Sequence, residues 1–584
     1  MDSQLPQEVL AHIVQYLPSH DLLVLAVVAR RWATAAIRAL YRSLTIDSST
    51  TLQKLQLALH SHLEPSFPSL PRPIPTDLFH LSLLSLNPND NSEDALPSLD
   101  KTTLRAIWLL VGPSLRSLSA PASYLETESA NIFHSLVHLT LTLRHRLQRS
   151  DFPRFSPSVH PGLFESLIVP RLETLTVSHP LMADNLVALL SSCPGLKSLS
   201  IHSWTDGSDM GFFRLVEPTY EYDSSESERM LNVARAMPLG LRSLDVTFHC
   251  FPGHAATALQ IIAQTCRGLN SVSIHWVFDA EGDVSQDLGR ELEDRVEEEW
   301  KDLMPEGLPL HLLAGSHLSA LSVRGACLSG AVFQMITERS PKLQYLDLRS
   351  DGPPDTIPMP SGRYDRRDMY DLRWLPDQCP DLQHIAINMY HCIGYLSLLE
   401  LPLRSVTLAG TGTRFHELLT VLEALTIPLQ ELRVWTGRLF IHNTGRGWGT
   451  SDGKRGRDPP DAMQAVIDAV NRTGARTLEL QGIFAIRSDE QLLQIAQQCP
   501  RLHSLDTWDV IPDRDAKKRG DWTLAERKMG EWGVPFGLSG NEKKGRGRKT
   551  SQRFALYNLS ALEKLRSGQH LTGQKQKSVC RKSF

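Results

Sequence analysis

The chain has 584 residues, of which 41% are hydrophobic and 22% charged, an ordinary composition for a folded protein. This length exceeds what one compact core usually supports, so it predicts several domains or an extended repeat array. The formal net charge of −4 excludes a chain that is basic throughout, as many nucleic-acid-binding proteins are.

Neither a secretory signal nor a membrane span is expected. The first ten residues contain two acidic residues and no basic one, whereas a secretory signal begins with positive charge and an apolar run. No uninterrupted apolar run is long enough for a membrane span, which needs about 18 residues or more. Eight cysteines in a chain of this length do not indicate a disulfide framework. We therefore expect an intracellular protein, cytoplasmic, nuclear or both, with no membrane partner.

Three short helices are predicted at the N-terminus. Apolar residues from Val9 to Leu17 recur at helical spacing, and Pro18 ends that helix. Asp21 is the predicted N-cap of the second helix, and a third runs from Arg31 to Tyr41. These helices carry more apolar side chains than so small a core can enclose, so the surplus must pack on a partner or on the next domain. Periodicity alone leaves partner docking and capping open.

The same segment resembles the F-box motif, whose pattern is approximately L-P-x-E-[IVL]-L-x-x-I-[x4]-L-[x4]-L-L-x-L-[x2]-V-[x]-R-x-W. Ala29 departs from the cysteine often found after the valine, but a small residue remains. The matching residues are Leu5, Pro6, Glu8, Val9, Leu10, Ile13, Leu17, Leu22, Leu23, Leu25, Val28, Arg30 and Trp32. The resemblance implies binding to the Skp adaptor of a cullin–RING ubiquitin ligase. The residues that it assigns to the adaptor surface are Leu5, Pro6, Val9, Leu10, Ile13, Leu17, Leu22, Leu25, Val28 and Trp32.

A short unit, L-x-x-L-x-[LIV], recurs through the rest of the chain. Seven clean intervals between successive units are 21 to 28 residues, the range of leucine-rich repeats with one strand and one helix each. Five longer intervals, of 36 to 49 residues, indicate either insertions within single repeats or missed degenerate copies. The thirteen units begin at residues 115, 136, 172, 196, 241, 269, 318, 343, 382, 403, 429, 475 and 502.

The segments between these units favour the same fold. Residues 181–193, 254–266, 329–340 and 488–499 have the periodicity of amphipathic helices. Four cysteines, Cys193, Cys266, Cys379 and Cys499, each stand three residues before the first leucine of a unit. One cysteine per repeat spreads them along the array, so we interpret them as small buried residues and not as metal ligands or redox groups.

The predicted fold is α/β, with an N-terminal three-helix F-box over residues 1–45 and a leucine-rich-repeat-like solenoid with insertions over 46–510. Parallel strands are expected on the concave face and helices outside. This arrangement resembles fungal-type F-box proteins with leucine-rich repeats. Residues 511–584 are predicted to be a basic, flexible tail, since residues 513–584 contain 18 Lys or Arg against 7 Asp or Glu. Within it, residues 555–565 are a candidate short helix.

Two kinds of feature are candidates for substrate contact. Trp204, Trp276, Trp435 and Trp508 fall just past repeat strands, where they line one edge of the sheet or pack beneath the rim loops. Four long insertions are strongly charged or rich in proline or glycine, and they either grip a substrate or are solvated loops. These insertions span residues 205–228, 279–302, 350–377 and 437–460.

No catalytic motif is present: the sequence has no P-loop, nucleophile elbow, H-E-x-x-H or paired C-x-x-C. We therefore expect a non-catalytic protein with no cofactor or metal. The predicted function is a substrate-receptor subunit of an SCF-type ligase, with the Skp adaptor, the cullin scaffold and an unknown target protein as partners. One alternative is a ligase-independent interaction scaffold. Another is a nucleic-acid-associated protein that acts through the basic tail. Salt-sensitive binding to nucleic acid that is lost when residues 511–584 are deleted would favour this alternative.

Overall fold

The structure is a computed structural model that places most of the helices and strands but not the whole chain. The residues that it describes are 7–14, 16–28, 30–46, 51, 54–55, 57, 78–83, 101–121, 125, 132–142, 169–178, 183–205, 224–249, 252–276, 309–325, 328–349, 370–388, 392–410, 415–436, 461–481, 489–512 and 550–558. They fall into two compact units, Met1–Arg295 and Val296–Phe584. Within the described ranges, no helix is long and apolar enough to cross a membrane.

Unit 1 begins with three helices, α1 (Gln7–Val14), α2 (Ser19–Val28) and α3 (Arg30–Arg42). Both α1 and α2 pack against α3. The buried centre of this bundle consists of Leu10, Val14, Leu22, Ala35 and Ala36. The prediction of Asp21 as an N-cap was wrong. The second helix begins two residues earlier, because the carbonyl of Pro18 already accepts from the backbone N–H groups of residues 21 and 22.

The remainder of unit 1 is a parallel sheet backed by helices. Its strands pair with one another in chain order. They are β1 (Ser43–Ile46), β2 (His80–Leu83), β3 (Ser117–Pro121), β4 (His138–Thr142), β5 (Thr174–Val177), β6 (Ser198–Thr205), β7 (Ser243–His249) and β8 (Ser271–Trp276). The helices between them are α4 (Lys101–Val111), α5 (Ala183–Ser191), α6 (Ser224–Arg235) and α7 (Pro252–Thr265).

Unit 2 repeats the plan. Its main strands are β9 (Ala320–Arg324), β10 (Tyr345–Arg349), β12 (His384–Asn388), β14 (Ser405–Gly410), β15 (Glu431–Thr436), β16 (Thr477–Gln481) and β17 (Ser504–Pro512), all parallel, with β18 (Thr550–Asn558) antiparallel to β17. β11 (Tyr370–Asp371) and β13 (Cys392–Ile393) form a separate two-stranded sheet. The helices are α8 (Gly330–Arg339), α9 (Leu375–Gln378), α10 (Phe415–Ala424), α11 (Asp461–Thr473) and α12 (Asp489–Gln498), with short 3₁₀ turns at Leu310–Leu312, Leu372–Trp374 and Tyr395–Glu400.

The repeat prediction is confirmed. In each of the thirteen units, the strand begins at the third residue, and the first leucine or its substitute is buried. Two copies were missed, at residues 41–46 and 78–83, which form β1 and β2. The second of these, LFHLSL, satisfies the pattern in full. Four of the five long intervals are single repeats with insertions, because the strands on either side of each interval pair directly. The pairs are β4 with β5, β6 with β7, β10 with β12 and β15 with β16.

The four cysteines mark the turn from a helix into the next strand. The Cys379 N–H donates to the carbonyl of Leu375 in α9, and the Cys379 carbonyl accepts from the N–H of Leu382, which opens the next unit. The backbone carbonyls of Cys193 and Cys499 likewise accept from the backbone N–H of the leucine three residues later. All four side chains are buried and free of disulfides. The four cysteines are therefore buried structural residues, and Ser340 occupies this position in another repeat with its side chain fully buried.

The described part of the C-terminal tail is a strand. Residues 555–558 belong to β18, so the prediction of a helix over 555–565 was wrong for these four residues. Without β18, β17 would be the edge of the sheet and would expose a row of unpaired backbone groups. Nine residue pairs, from Ser504 with Asn558 to Pro512 with Thr550, cover that edge. This long-range pairing outweighs the helical spacing of the apolar residues. The predicted boundaries at residues 45 and 510 stay predictions.

Candidate partner-binding surfaces

The N-terminal bundle separates the residues assigned to the adaptor surface into an inner and an outer set. Leu10 and Leu22 lie in the buried centre, and Leu17, Leu25 and Trp32 pack partly buried against it. By contrast, α1 leaves Val9 and Ile13 exposed by 40% and 37%. The side chains of Leu5, Pro6 and Val28 lie outside the described residues. Several motif positions therefore serve the internal core of the domain, and fewer face outward than the resemblance implied.

Other apolar side chains are more exposed than these. Tyr16 is 76% exposed, and α2 leaves Leu23, Val24 and Val27 exposed by 57%, 48% and 85%. The sequence carried a signal for them, because α2 is apolar nearly all round and only one of its faces can pack against α3. Exposed apolar residues clustered on neighbouring turns of a helix mark an interaction surface. We call Val9, Ile13, Tyr16, Leu23, Val24 and Val27 the outer apolar set.

The candidate tryptophans occupy different environments. Trp204 and Trp276 are buried, and the Trp204 ring stacks against Phe248 with centroids 5.2 Å apart. The Trp435 ring lies 4.4 Å from the guanidinium carbon of Arg349 on the open face of unit 2. The Trp508 side chain lies outside the described residues. Substrate contact by any of the four stays a prediction, and Trp435 is the one whose surroundings suit it.

The two units differ in the chemistry of their open faces, meaning the sheet face that carries the third and fifth residues of each repeat unit. In unit 1 these sixteen positions hold thirteen Ser or Thr, two His and one Asp. The single acid, Asp245, accepts a hydrogen bond from the hydroxyl of Ser200 on the neighbouring strand, 3.0 Å away. This face therefore offers hydroxyl groups and almost no charge.

The open face of unit 2 carries charged networks. Asp347 on β10 is fully buried, and both of its oxygens accept hydrogen bonds from arginines. Arg324 on β9 donates from Nε and Nη2 at 3.1 and 2.9 Å. Arg349 donates from Nε at 2.6 Å and from Nη2 at 2.5 Å, and its side chain is only 6% exposed. The two guanidinium groups therefore hold one carboxylate and leave a net charge of +1.

Arg349 also reaches across the face to Trp435. The two residues lie on β10 and β15, with β12 and β14 between them; Trp435 is opposite Ala409 of β14, which is opposite Asn388 of β12. A cation over an indole face contributes about 0.5–2 kcal/mol, more when the pair is removed from water. The contact therefore joins the charged network of β9 and β10 to the strands that follow.

A second network lies on β15–β17. Glu431 is well satisfied, because Arg433 Nη2 donates to one of its oxygens at 2.7 Å and Ser405 Oγ to the other at 2.9 Å. Glu479 is not: its nearest described cation is Arg433 Nε at 3.3 Å, and that nitrogen makes no hydrogen bond. Burial raises the pKa of Glu479, Arg433 lowers it, and the neighbouring carboxylates of Asp506 and Glu431 raise it further. Arg349 also lowers the pKa of Glu479, so cations of β10 and β15 both act on this carboxylate.

Most residues of the charged insertions lie outside the described part of the chain. Residues 279–302 and 437–460 lie wholly outside the described residues, and residues 205–228 and 350–377 mostly do. Their predicted role in gripping a substrate stays a prediction.

Comparison with known proteins assigns the N-terminal segment. Residues 2–47 match the F-box-like family model. No curated protein sequence matches the chain significantly. The crystal structure of the Rad7 and Elc1 complex in yeast aligns at 15% identity over 81% of this chain and 89% of that one, with a TM-score of 0.36. The leucine-rich repeat-containing protein LegL7 from Legionella pneumophila aligns at 12% identity over 65% and 96%, with a TM-score of 0.28. Scores of this size do not establish a shared overall arrangement.

The chain is thus an F-box-like domain followed by leucine-rich repeats. The family match defines the first part, and the parallel strands, the backing helices and the repeated L-x-x-L-x-[LIV] unit define the second. The fungal-type assignment stays a prediction.

Proposed function

We propose that this protein is a substrate-receptor subunit of an SCF-type cullin–RING ubiquitin ligase, which docks the Skp adaptor through its F-box-like domain and a target through its repeats. The observation that carries the proposal is the outer apolar set on α1, α2 and the turn between them, within the segment that matches the family model. These side chains expose apolar surface to solvent, whereas burial against a partner helix stabilises a complex by about 1.5–3 kcal/mol for each fully buried Val or Leu.

The proposed mechanism is positional. The F-box-like domain binds the adaptor and, through it, the cullin scaffold, while the repeats hold a target protein. Holding both together raises the effective concentration of target lysines near the conjugating enzyme. The ubiquitin-transfer chemistry belongs to other subunits, so the protein is non-catalytic in this proposal. An intracellular location, cytoplasmic or nuclear, is part of the same proposal.

The test is co-purification of the Skp adaptor and cullin with the full chain, compared with a Leu23→Glu/Val27→Glu variant. Both side chains are largely exposed, so the variant should fold, and each new carboxylate would be buried unpaired in the complex. The matched control is Leu239→Glu, since Leu239 is 79% exposed in unit 1 but lies outside the bundle. We expect wild type and control to recover both partners and the variant to recover neither.

The alternative is a ligase-independent scaffold. It predicts that wild type recovers the adaptor without the cullin, or neither partner. Equal recovery by the wild type and the Leu23→Glu/Val27→Glu variant would contradict docking through the outer apolar set.

A further inference from the structure

We infer that the edge of unit 1 where β1, β2 and β3 begin is a docking surface for an extended acidic segment of a target protein, with Arg42 and Arg116 as its hydrogen-bond donors. The inference rests on the proposed function, because it names the chemical class of target that the repeats would hold. Arg42, Phe79 and Arg116 are the second residues of the first three repeat units and stand immediately before these strands. We call them the Arg–Phe–Arg row.

The backbone and the central aromatic ring hold the Arg–Phe–Arg row in place. The Phe79 N–H donates to the carbonyl of Arg42 at 3.1 Å, and the Arg116 N–H donates to the carbonyl of Phe79 at 2.9 Å. The guanidinium carbons of Arg42 and Arg116 lie 5.4 and 5.1 Å from the centroid of the Phe79 ring. A guanidinium group that lies over an aromatic ring can still donate from its edge to a carboxylate. Both cations are therefore positioned before a partner arrives, which lowers the entropy cost of binding.

No acid offsets these two positive charges within the described part of unit 1. Neither Arg42 nor Arg116 forms an ion pair there. The acids of unit 1 whose side chains are described each have another partner: Asp21 contacts His20, Glu173 contacts Lys197, Glu228 contacts Arg235, and Asp245 accepts from Ser200. The Arg–Phe–Arg row thus carries a charge of +2 that a bound acidic segment would neutralise.

Two histidines extend the positive surface onto the open face. His80 on β2 and His138 on β4 stand at the third position of their units, with Ser117 of β3 between them. Partial burial lowers the pKa of His80 most, and the two arginines of the row and His138 lower it further. No described carboxylate opposes them. The side chains around His80 therefore create a positive potential at this edge, which attracts a negatively charged partner.

Spacing favours two carboxylates of one segment over a single anion. Arg42 and Arg116 are separated by the strand that follows Phe79, and neighbouring strands lie about 4.8 Å apart, so the backbones of the two arginines are about 10 Å from each other. An extended chain rises about 3.3 Å per residue, so acidic side chains two or three residues apart match this distance. The row is therefore suited to an extended segment that presents two Asp or Glu side chains.

Nucleic acid is the other class of partner that basic residues bind, and two features argue against it. The Phe79 ring already contacts both guanidinium groups, which leaves it poorly placed to stack on a base. The next two residues along the same edge are Val137 and Glu173, so the positive charge does not continue over the following strands. A nucleic-acid backbone usually needs a longer positive track.

The same repeat position in unit 2 provides a matched control. Arg404 and Arg476 are the second residues of their units, but the residue between them along the edge is Gln430 and not a phenylalanine. The N–H of the adjacent acid, Glu431, donates to the carbonyl of Arg404, so a carboxylate belongs to this part of the edge. Arg404→Gln/Arg476→Gln therefore removes two arginines from the same repeat position without touching the Arg–Phe–Arg row.

The experiment is selection of phage-displayed linear dodecapeptides on the full chain, immobilised through an N-terminal affinity tag. Wild type, Arg42→Gln/Arg116→Gln and Arg404→Gln/Arg476→Gln are compared, with circular dichroism and thermal unfolding to show that each is folded. We expect wild type and the unit 2 variant to enrich peptides with two Asp or Glu residues two or three positions apart. The Kd of a selected peptide should rise at least about tenfold in Arg42→Gln/Arg116→Gln, and equally when Asn or Gln replaces its two acids.

A further variant tests the role of the ring. Phe79→Leu keeps both positive charges but removes the surface on which the guanidinium groups lie. The Kd of the selected peptide should rise about threefold, a smaller loss than removing the arginines causes. Added salt should also weaken binding by wild type, because the charges are near the surface.

Four results would overturn the inference. These are a failure to enrich any peptide on folded wild type, enriched peptides without paired acids, an unchanged Kd in Arg42→Gln/Arg116→Gln, and tighter binding of fluorescein-labelled oligothymidine than of any selected peptide, lost in that variant. Immobilisation through the tag does not depend on the Skp adaptor, and neither arginine belongs to the outer apolar set. Failure here is therefore distinct from failure of adaptor docking, which the Leu23→Glu/Val27→Glu variant tests.

Discussion

Replacing Asp347 by asparagine should destabilise unit 2 strongly. The Asp347 side chain is fully buried and accepts from Arg324 and Arg349, and the Arg349 side chain is only 6% exposed. Asp347→Asn removes the negative charge and leaves Arg349 buried without a counter-ion. Arg324 is 38% exposed and can turn toward water, so Arg349 accounts for most of the loss. Breaking a buried ion pair in this way costs about 3–5 kcal/mol in free energy of unfolding.

The assay is urea-induced unfolding followed by far-ultraviolet circular dichroism. The matched control is Glu173→Gln, which removes an acid from an exposed pair, since Lys197 and Glu173 are 54% and 46% exposed. Exposed pairs contribute little to stability, so the control should unfold close to wild type.

A second variant separates loss of charge pairing from loss of packing. Asp347→Asn/Arg349→Met removes both buried charges and keeps a side chain of similar length at position 349. We expect it to be more stable than Asp347→Asn alone by at least about 1 kcal/mol, because no buried charge is left uncompensated. The reasoning would be refuted if Asp347→Asn cost less than about 1 kcal/mol, or if the double variant were the less stable of the two.

Two further predictions concern ionisable groups. Burial raises the thiol pKa of Cys193 and Cys266 to about 11 and of Cys379 to about 12. Iodoacetamide at pH 7.5 should therefore label these thiols in urea but not in the folded chain, which peptide mass spectrometry would show. Rapid labelling of the folded chain would contradict this prediction. Burial also raises the pKa of Glu479, so its ionised form opposes folding near pH 7, and this penalty disappears as the pH falls through that pKa. Glu479→Gln should therefore unfold at or above the wild-type temperature at pH 7, with the difference shrinking toward pH 4. A marked loss of stability at pH 7 would contradict this prediction.

The repeats could be predicted from sequence because they are local. Each unit places its leucines on one face of a strand, and the interval to the next unit leaves room for one helix. The copy at residues 78–83 could have been found by the same pattern, whereas residues 41–46 begin with Tyr41 and overlap the end of α3. Periodicity also shows that α2 has more apolar residues than one face needs.

Other features depend on contacts between residues distant in sequence. The pairing of β18 with β17 joins residues 38 or more positions apart and overrides a local helical pattern. The contact of Arg349 with Trp435 needs the register of four strands. The different pairing of Glu431 and Glu479 is likewise invisible in sequence, because both are acids at open-face positions of a repeat. The split of the F-box-like positions into buried and exposed sets follows from how α1 and α2 pack on α3.

Hydrogen–deuterium exchange of the full chain with and without saturating Skp adaptor tests the central claim most directly, because it reports where the adaptor binds. We expect slowed exchange on adding the adaptor to be concentrated in peptides from α1 and α2, within residues 7–28, with α8 of unit 2 unchanged. Slowed exchange confined to the repeats, or no change anywhere in the chain at saturating adaptor, would contradict it.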